Sequence, residues 1–396
     1  MVKDLATTHA NTLTHSDVIQ ASARTYAGRI FAEPVTKLHN SFNTQSYLQY
    51  VRFFLGLPPA LTIGGSVVDG EFDYPVQRCL ADHKGSCQLL DANGDHASSG
   101  CPSTQHARIR KHDNIKRIIA SFAQEAGLVT RCEPDTHSLL LGEFTKADCR
   151  RIFPRQMSKT YKNGFENLSQ AQAFISSDQC ELSLEQKQAY IQKKIDEIPE
   201  HAGDMKGLRI DVSVENPITG ETKWLDISVV HTSCVTYRPA ELKLIAQRRL
   251  TAAVKDFYFL QDNYEHDPSP SLLAREVEKA DMYGHIVVIV AKQHLDGKRS
   301  TLPTFTPFIA SDYGEIAPQA IVFQEWLVNQ FRLKCSRDGS KNNGHATPDL
   351  VRNFRHRFKM SVQVAIAAGM GSIIQAAGRK ALSLRRLDDF ASFAHV

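Results

Sequence analysis

The stretch "LRIDVSVENPITGETKWLDISVV" (208–230) constrains the fold more than any other part of the chain. Apolar and polar residues alternate on both sides of "NPITGE", which reads as two strands joined by a Gly-containing turn. Ile210, Val212 and Val214 share one face of the first strand, and Leu225, Ile227 and Val229 share one face of the second. With the turn centred in "NPITGE", Val212 faces Leu225, Arg209 faces Ser228, and Asp211 faces Asp226, so the two apolar faces coincide. Like charges directly across a strand pair cost a few tenths of a kcal/mol in water and more when desolvated. A divalent cation would relieve them: Mg²⁺ needs only one or two carboxylates, keeps several waters, and can act on a phosphodiester. The alternative is that both acids lie on the solvated face of an amphipathic hairpin, with Arg209 softening the repulsion diagonally. A bulge would break this register.

Around the hairpin the pattern predicts a mixed α/β core. "SYLQYVRFFLGL" (46–57) has helical spacing and stops at Pro58 and Pro59. "HARIRKHDNIKRIIASFAQEAGL" (106–128) predicts an amphipathic helix, with Ile115, Ile118, Ile119, Phe122 and Ala126 on one face, basic residues on the other, and Gly127 at its end. "LVTRCE" follows as a short strand ending at Glu133. Residues 145–206 read as a polar insertion, helical near 183–197. After the hairpin come helices at 240–260 and 272–284, a strand "HIVVIVA" (285–291), a further strand in "TFTPFIASDYG" (304–314), and a mostly helical tail broken by a loop at 335–349. "FYFL" (257–260) reads as core, and Trp224 either covers the acids or packs.

The segment 60–106 is poor in apolar residues and rich in Gly, Cys, His, Ser and Asp. It carries Cys79, Cys87, His96 and Cys101 with the spacing C-x7-C-x8-H-x4-C, a ligand set suited to a closed tetrahedral structural zinc site that would staple the loop. His83, His106 and His112 are nearby alternatives as the histidine ligand, and chance proximity in a loop is the competing reading. The other five of the eight cysteines stand far apart, so a disulfide framework is not expected. Net charge is only +4, but Lys and Arg cluster at 108–117, 149–162, 355–359 and 378–386. Each cluster alone suits a solvated helix face; together they permit a nucleic-acid partner. No continuous apolar run reaches the roughly 18 residues of a membrane span, and the first residues lack an apolar stretch of signal type, so an intracellular location is expected.

Several ordered blocks resemble the C-terminal restriction-like endonuclease region of non-LTR retrotransposon reverse transcriptases. "DANGDHASSGC" is similar to that family's Gly-Asp-His element before its last Cys, and "RKHDNIKRIIASFAQEAGLVTRCEP" to its basic helix leading to Glu-Pro. "RID", followed by fourteen residues (212–225) and Asp226, matches its Arg/Lys-Pro-Asp element and second acid. "FTPFIASDYGEIAPQA" (305–320) and "RHRFKMSVQVAIAAG" (355–369) resemble late blocks. Ile210 stands where the family has Pro, and Ser228 where the core usually has a Lys two residues after the second acid; "REVEKADMY" offers Lys279 on a following helix instead.

The resemblance implies a PD-(D/E)XK restriction-endonuclease-like core, a mixed sheet flanked by helices, with an N-terminal zinc knuckle and helical extensions. The implied division is a helical extension over 1–75, the knuckle over 76–106, the core over 107–330 with its insertion near 145–206, and a helical region over 331–396. It implies Mg²⁺ or Mn²⁺ held by Glu133, Asp211 and Asp226, with Lys279 at the reacting phosphate, zinc on Cys79, Cys87, His96 and Cys101, and DNA gripped by Arg108, Arg110, Lys111, His112, Arg117 and Arg209. The expected activity is metal-dependent DNA cleavage in the nucleus, with a reverse transcriptase or element RNA as further partners. Nothing resembles reverse-transcriptase palm motifs, so the expectation includes a free-standing piece, a fragment or a domesticated descendant; a zinc-stapled DNA-binding protein with an inactive nuclease fold is the alternative. On its residues alone, Lys279 equally suits a surface ion pair with Glu276 or Glu278.

Overall fold

The computed structural model describes residues 44–54, 62–63, 66–67, 95–98, 101–143, 145, 181–196, 209–234, 236–255, 269–342 and 347–393. The helices are α1 (Thr44–Phe54), α2 (Asp95–Ser98), α3 (Gln105–Glu125), α4 (Thr136–Leu139), α5 (Leu184–Asp196), α6 (Arg238–Lys255), α7 (Pro270–Leu295), α8 (Pro318–Asn342) and α9 (Pro348–Phe393). The strands are β1 (Thr62–Ile63), β2 (Ser66–Val67), β3 (Val129–Cys132), β4 (Val212–Glu215), β5 (Thr222–Val230) and β6 (Thr304–Ser311). β1 and β2 form a small antiparallel pair, and the other four make a mixed sheet in the order β3-β4-β5-β6, flanked by helices. The chain is thus a mixed α/β protein. It divides into two compact units interleaved along the sequence: Met1–Phe122, Ile227–Glu276 and Phe308–Val396 in one, Ala123–Asp226 and Val277–Pro307 in the other.

In the first unit α1 lies against α9, and Tyr50, Phe53 and Phe54 enter a cluster with Cys101, Tyr313, Met370 and Ile373. The approach is close because position 371 is glycine: a β-carbon there would run into the backbone carbonyl of Ser46. α3 packs through Phe122, set edge-on at 5.3 Å to both Phe354 and Phe358 of α9, and Phe354 stacks on Phe331 of α8 at 4.1 Å. Within residues 348–377 one stretch is apolar and long enough to cross a membrane by composition, but most of it is buried inside the protein, so its apolarity serves the core. This unit also contains a polar chain. Lys111 forms a buried ion pair with Asp312; the other Asp312 oxygen lies 3.3 Å from His231 Nδ1; His231 Nε2 is 3.1 Å from Ser233 Oγ, which is 2.9 Å from the Tyr313 hydroxyl.

In the second unit the hairpin has the expected register, with Val212 paired to Leu225, Ser213 to Trp224, Val214 to Lys223 and Glu215 to Thr222. The Asn216 side chain sets the turn by accepting from the N–H groups of Ile218 (2.9 Å) and Thr219 (3.3 Å), and Gly220 takes φ 71°, open to glycine at little cost. β3 adds antiparallel to β4. The ladder departs from the expectation at its far end: the N–H of Asp211 donates to the Leu225 carbonyl at 2.9 Å, one position off, so Asp211 and Asp226 are not a facing pair. Nor is the acidic face solvated. Trp224, Leu225, Asp226 and Ile227 are all buried, and α7 lies against Asp226 through Lys279 and Tyr283.

Two expectations about elements are corrected. "HIVVIVA" is not a strand but the last part of the single helix α7, in which Ile286, Ile289 and Val290 bury one face at i, i+3 and i+4; the β-branched run lost to helical packing, since β propensity is mostly a statement about context. The loop placed at 335–349 is shorter, because α8 continues through Asn342 despite its Gly and Ser residues.

Candidate active site

All groups of this site belong to the second unit. Asp211 enters at the start of the hairpin and Asp226 from the middle of β5. α7 contributes Lys279 and, one turn later, Tyr283. Lys279 Nζ is 2.6 Å from Asp226 Oδ2, and the Tyr283 hydroxyl is 2.9 Å from Asp226 Oδ1 and 2.6 Å from the Arg209 carbonyl. Tyr283 is held in turn by stacking on Phe305 at 4.5 Å.

Burial pushes the Asp226 carboxyl above its ordinary range; Lys279 and the Tyr283 hydroxyl pull against this, and the neighbouring charge of Asp211 adds to the rise. The Tyr283 hydroxyl shares its one proton between two acceptors, the Arg209 carbonyl and Asp226 Oδ1. Two acids close together, one of them buried, are a pair that a bound cation would relieve.

Glu133 does not join them. It ends β3 in the left-handed region (φ 50°), a conformation that is uncommon for a non-glycine residue. Its N–H donates to the Asp211 carbonyl at 2.9 Å, while its carboxylate, half exposed, lies 3.8 Å from Arg209 Nη1. Among the described residues no three His, Cys, Asp or Glu side chains gather at metal-ion distance. The two aspartates and waters would fit Mg²⁺, which asks for no more protein ligands than that. Ser228, where the resembled nuclease core has a lysine, accepts from Arg275 Nε at 3.1 Å within the first unit.

The basic helix α3 divides its cations. Arg110 and Arg117 are exposed, with Arg117 donating to Asn114 Oδ1 at 3.1 Å. Arg108 donates to the Cys101 carbonyl at 3.1 Å, and His112 sits 3.4 Å from Asp113. Lys111, expected as a DNA contact, is instead buried against Asp312 and Met370, on the opposite side of the helix. A basic run does not distinguish a solvated lysine from one whose charge is matched far along the chain. Of the zinc set, Cys79 and Cys87 lie outside the described residues, as does the side chain of His96, whose backbone falls in α2. Cys101 is buried in the α1–α9 cluster, its Sγ 2.7 Å from Ser103 Oγ.

The sequence reading missed Tyr283 and the Asp312–His231–Ser233 chain. For Tyr283 the signal was available, since it stands four residues after Lys279 on a helical stretch; the second chain joins positions far apart with no local pattern. No family model matches the chain, and no curated protein or solved structure matches it either.

Proposed function

We propose that the protein is a metal-dependent DNA endonuclease of the PD-(D/E)XK type, derived from a non-LTR retrotransposon. The observation that supports this reading is the meeting of Lys279 with Asp226 beside Asp211: a lysine and two aspartates, groups suited to metal-assisted phosphodiester cleavage, drawn from a hairpin and a distant helix. Asp211 and Asp226 would hold Mg²⁺ or Mn²⁺, and the metal, when bound, neutralises charge on the scissile phosphate and lowers the pKa of water. The chain's own groups do the rest. Tyr283 and Lys279 fix the Asp226 carboxylate, and the Lys279 ammonium would be the donor to a phosphate oxygen of the substrate. Arg209 and Glu133, exposed at the edge of the site, orient the backbone of the substrate and its water. A zinc knuckle on Cys79, Cys87, His96 and Cys101 would order the segment before α3.

The test is nicking of supercoiled plasmid with Mg²⁺ or Mn²⁺ by wild type, Asp211→Ala and Asp226→Ala. Loss of cleavage in both variants is expected; equal background cleavage in all three rejects the enzyme. A second reading, a DNA-binding protein with an inactive nuclease fold, is favoured by the 2.6 Å Lys279–Asp226 ion pair, which compensates the buried acid without any metal, and by Glu133 standing apart. It predicts salt-dependent DNA binding and no divalent-dependent cleavage. For zinc, metal analysis of wild type should give one equivalent that Cys87→Ser and Cys101→Ser both lose.

A further inference from the structure

The outward side of α3 carries a feature that gripping phosphates does not require. His106, Arg110, Asn114, Arg117 and Ser121 recur at three- and four-residue spacing and are all exposed, so they form one straight stripe along the helix. The stripe contains no acid. The acid beside it, Asp113, is engaged by Lys116 at 3.0 Å and His112 at 3.4 Å. The opposite side is fully committed to the core of the first unit through Ala107, Lys111, Ile115, Ile119 and Phe122, which leaves the stripe facing outward on a rigid rod. The residue types also differ from those of a plain phosphate grip. Its middle holds two arginines and an asparagine, side chains that pair with base edges through two parallel hydrogen bonds, and no lysine lies in the stripe.

The geometry points to α3 as a recognition helix that enters the major groove of duplex DNA, with Arg110 and Arg117 reading guanines and Asn114 holding Arg117 in place. This rests on the DNA-acting reading above and extends it from backbone contact to target choice. Arg110 and Arg117 are two turns apart on one face, about 10.5 Å along the axis, which matches about three base pairs at about 3.4 Å each. Arg is the side chain that meets the O6 and N7 of guanine with two parallel hydrogen bonds. Asn114 Oδ1 already accepts from Arg117 Nη1 at 3.1 Å, which fixes the guanidinium plane before DNA arrives. His106 and Ser121, at the ends of the stripe, are placed for the flanking phosphates. Duplex RNA does not fit, because its deep, narrow major groove excludes a helix.

The experiment is selection of bound sites from a randomised DNA duplex library by the full chain in EDTA, so that no cleavage intervenes. Wild type should enrich two G·C pairs about three base pairs apart. Arg117→Gln should lose or change one of them, and Arg110→Gln the other, each weakening binding to the selected site about tenfold or more and binding to random DNA by much less, through the loss of one cation. Asn114→Ala should blur only the position read by Arg117. All three positions are exposed, so melting temperatures should match wild type. Binding without enrichment, the same enriched site in wild type and both arginine variants, no binding at all, or equal preference for duplex RNA overturns the proposal. Plasmid cleavage is read separately: enrichment without cleavage defeats the nuclease and leaves the recognition helix, and cleavage without enrichment does the reverse.

Discussion

Two buried aspartates respond to pH in opposite directions, and the difference lies in their cations. For Asp312, burial alone would raise the carboxyl, but the charge of Lys111 and the hydrogen bond from His231 hold it below the usual range. A folded value below the unfolded one, about 3.9, contributes stability that is present above that pH and lost as pH falls through the folded value. Thermal melts from pH 7 down to pH 3 should show this acid limb, and Asp312→Asn should flatten it. At pH 7 Asp312→Asn leaves Lys111 charged and unpaired inside the core and should cost about 3–5 kcal/mol; adding Lys111→Met should recover part of that loss. Asp226 is the reverse case, because burial and Asp211 outweigh Lys279 and Tyr283. Its folded value lies above the unfolded one, so the stability it contributes is full below about pH 4 and is lost as pH rises through the folded value. Asp226→Asn should therefore be no less stable than wild type at pH 7 in urea titrations while removing the proposed cleavage. A large loss of stability would mean that the ion pair with Lys279 carries structure and not function.

At the scale of elements, glycine at position 371 gives a prediction whose sign is informative. In an ordinary helix Gly→Ala stabilises by about 1 kcal/mol. Gly371→Ala should instead destabilise by about 1–3 kcal/mol, since its β-carbon would meet the Ser46 carbonyl and push α1 off α9; faster proteolysis around α1 in the variant would check this. Nothing in the sequence announced the contact, because close approach between helices leaves no periodic trace. What was legible followed from local rules. The hairpin register came from alternation plus the Asn216–Gly220 turn, and the α3 boundary from Gly127 at φ 81°. Failures share one cause: "HIVVIVA" and the fate of Lys111 were decided by tertiary partners, which no window of sequence contains. The site was half legible for the same reason. Asp211 and Asp226 follow from the hairpin, but the offset at Asp211, the exclusion of Glu133 and the entry of Tyr283 depend on how a strand end and a helix meet.

For the whole molecule, the points where the chain passes from one unit to the other decide how it unfolds. They fall at Phe122/Ala123, Asp226/Ile227, Glu276/Val277 and Pro307/Phe308, within α3, β5, α7 and β6 respectively. Domain boundaries usually run through exposed linkers; here each crossing lies inside a hydrogen-bonded element. Melting one unit alone would require breaking two helices and two strands in mid-course, so a single cooperative transition is expected, with calorimetric and van't Hoff enthalpies in agreement. The proposed metal site lies in the second unit, yet a ligand bound to the folded state stabilises whatever unfolds with it, by about 2.7 kcal/mol at a hundred times its Kd. Mg²⁺ or Mn²⁺ should therefore move the one transition of the wild type upward as a whole and leave that of Asp211→Ala in place. Two transitions, of which the metal shifts only one, would show that the shared elements do not couple the units; a single transition unmoved by either ion would take the metal away from the two aspartates.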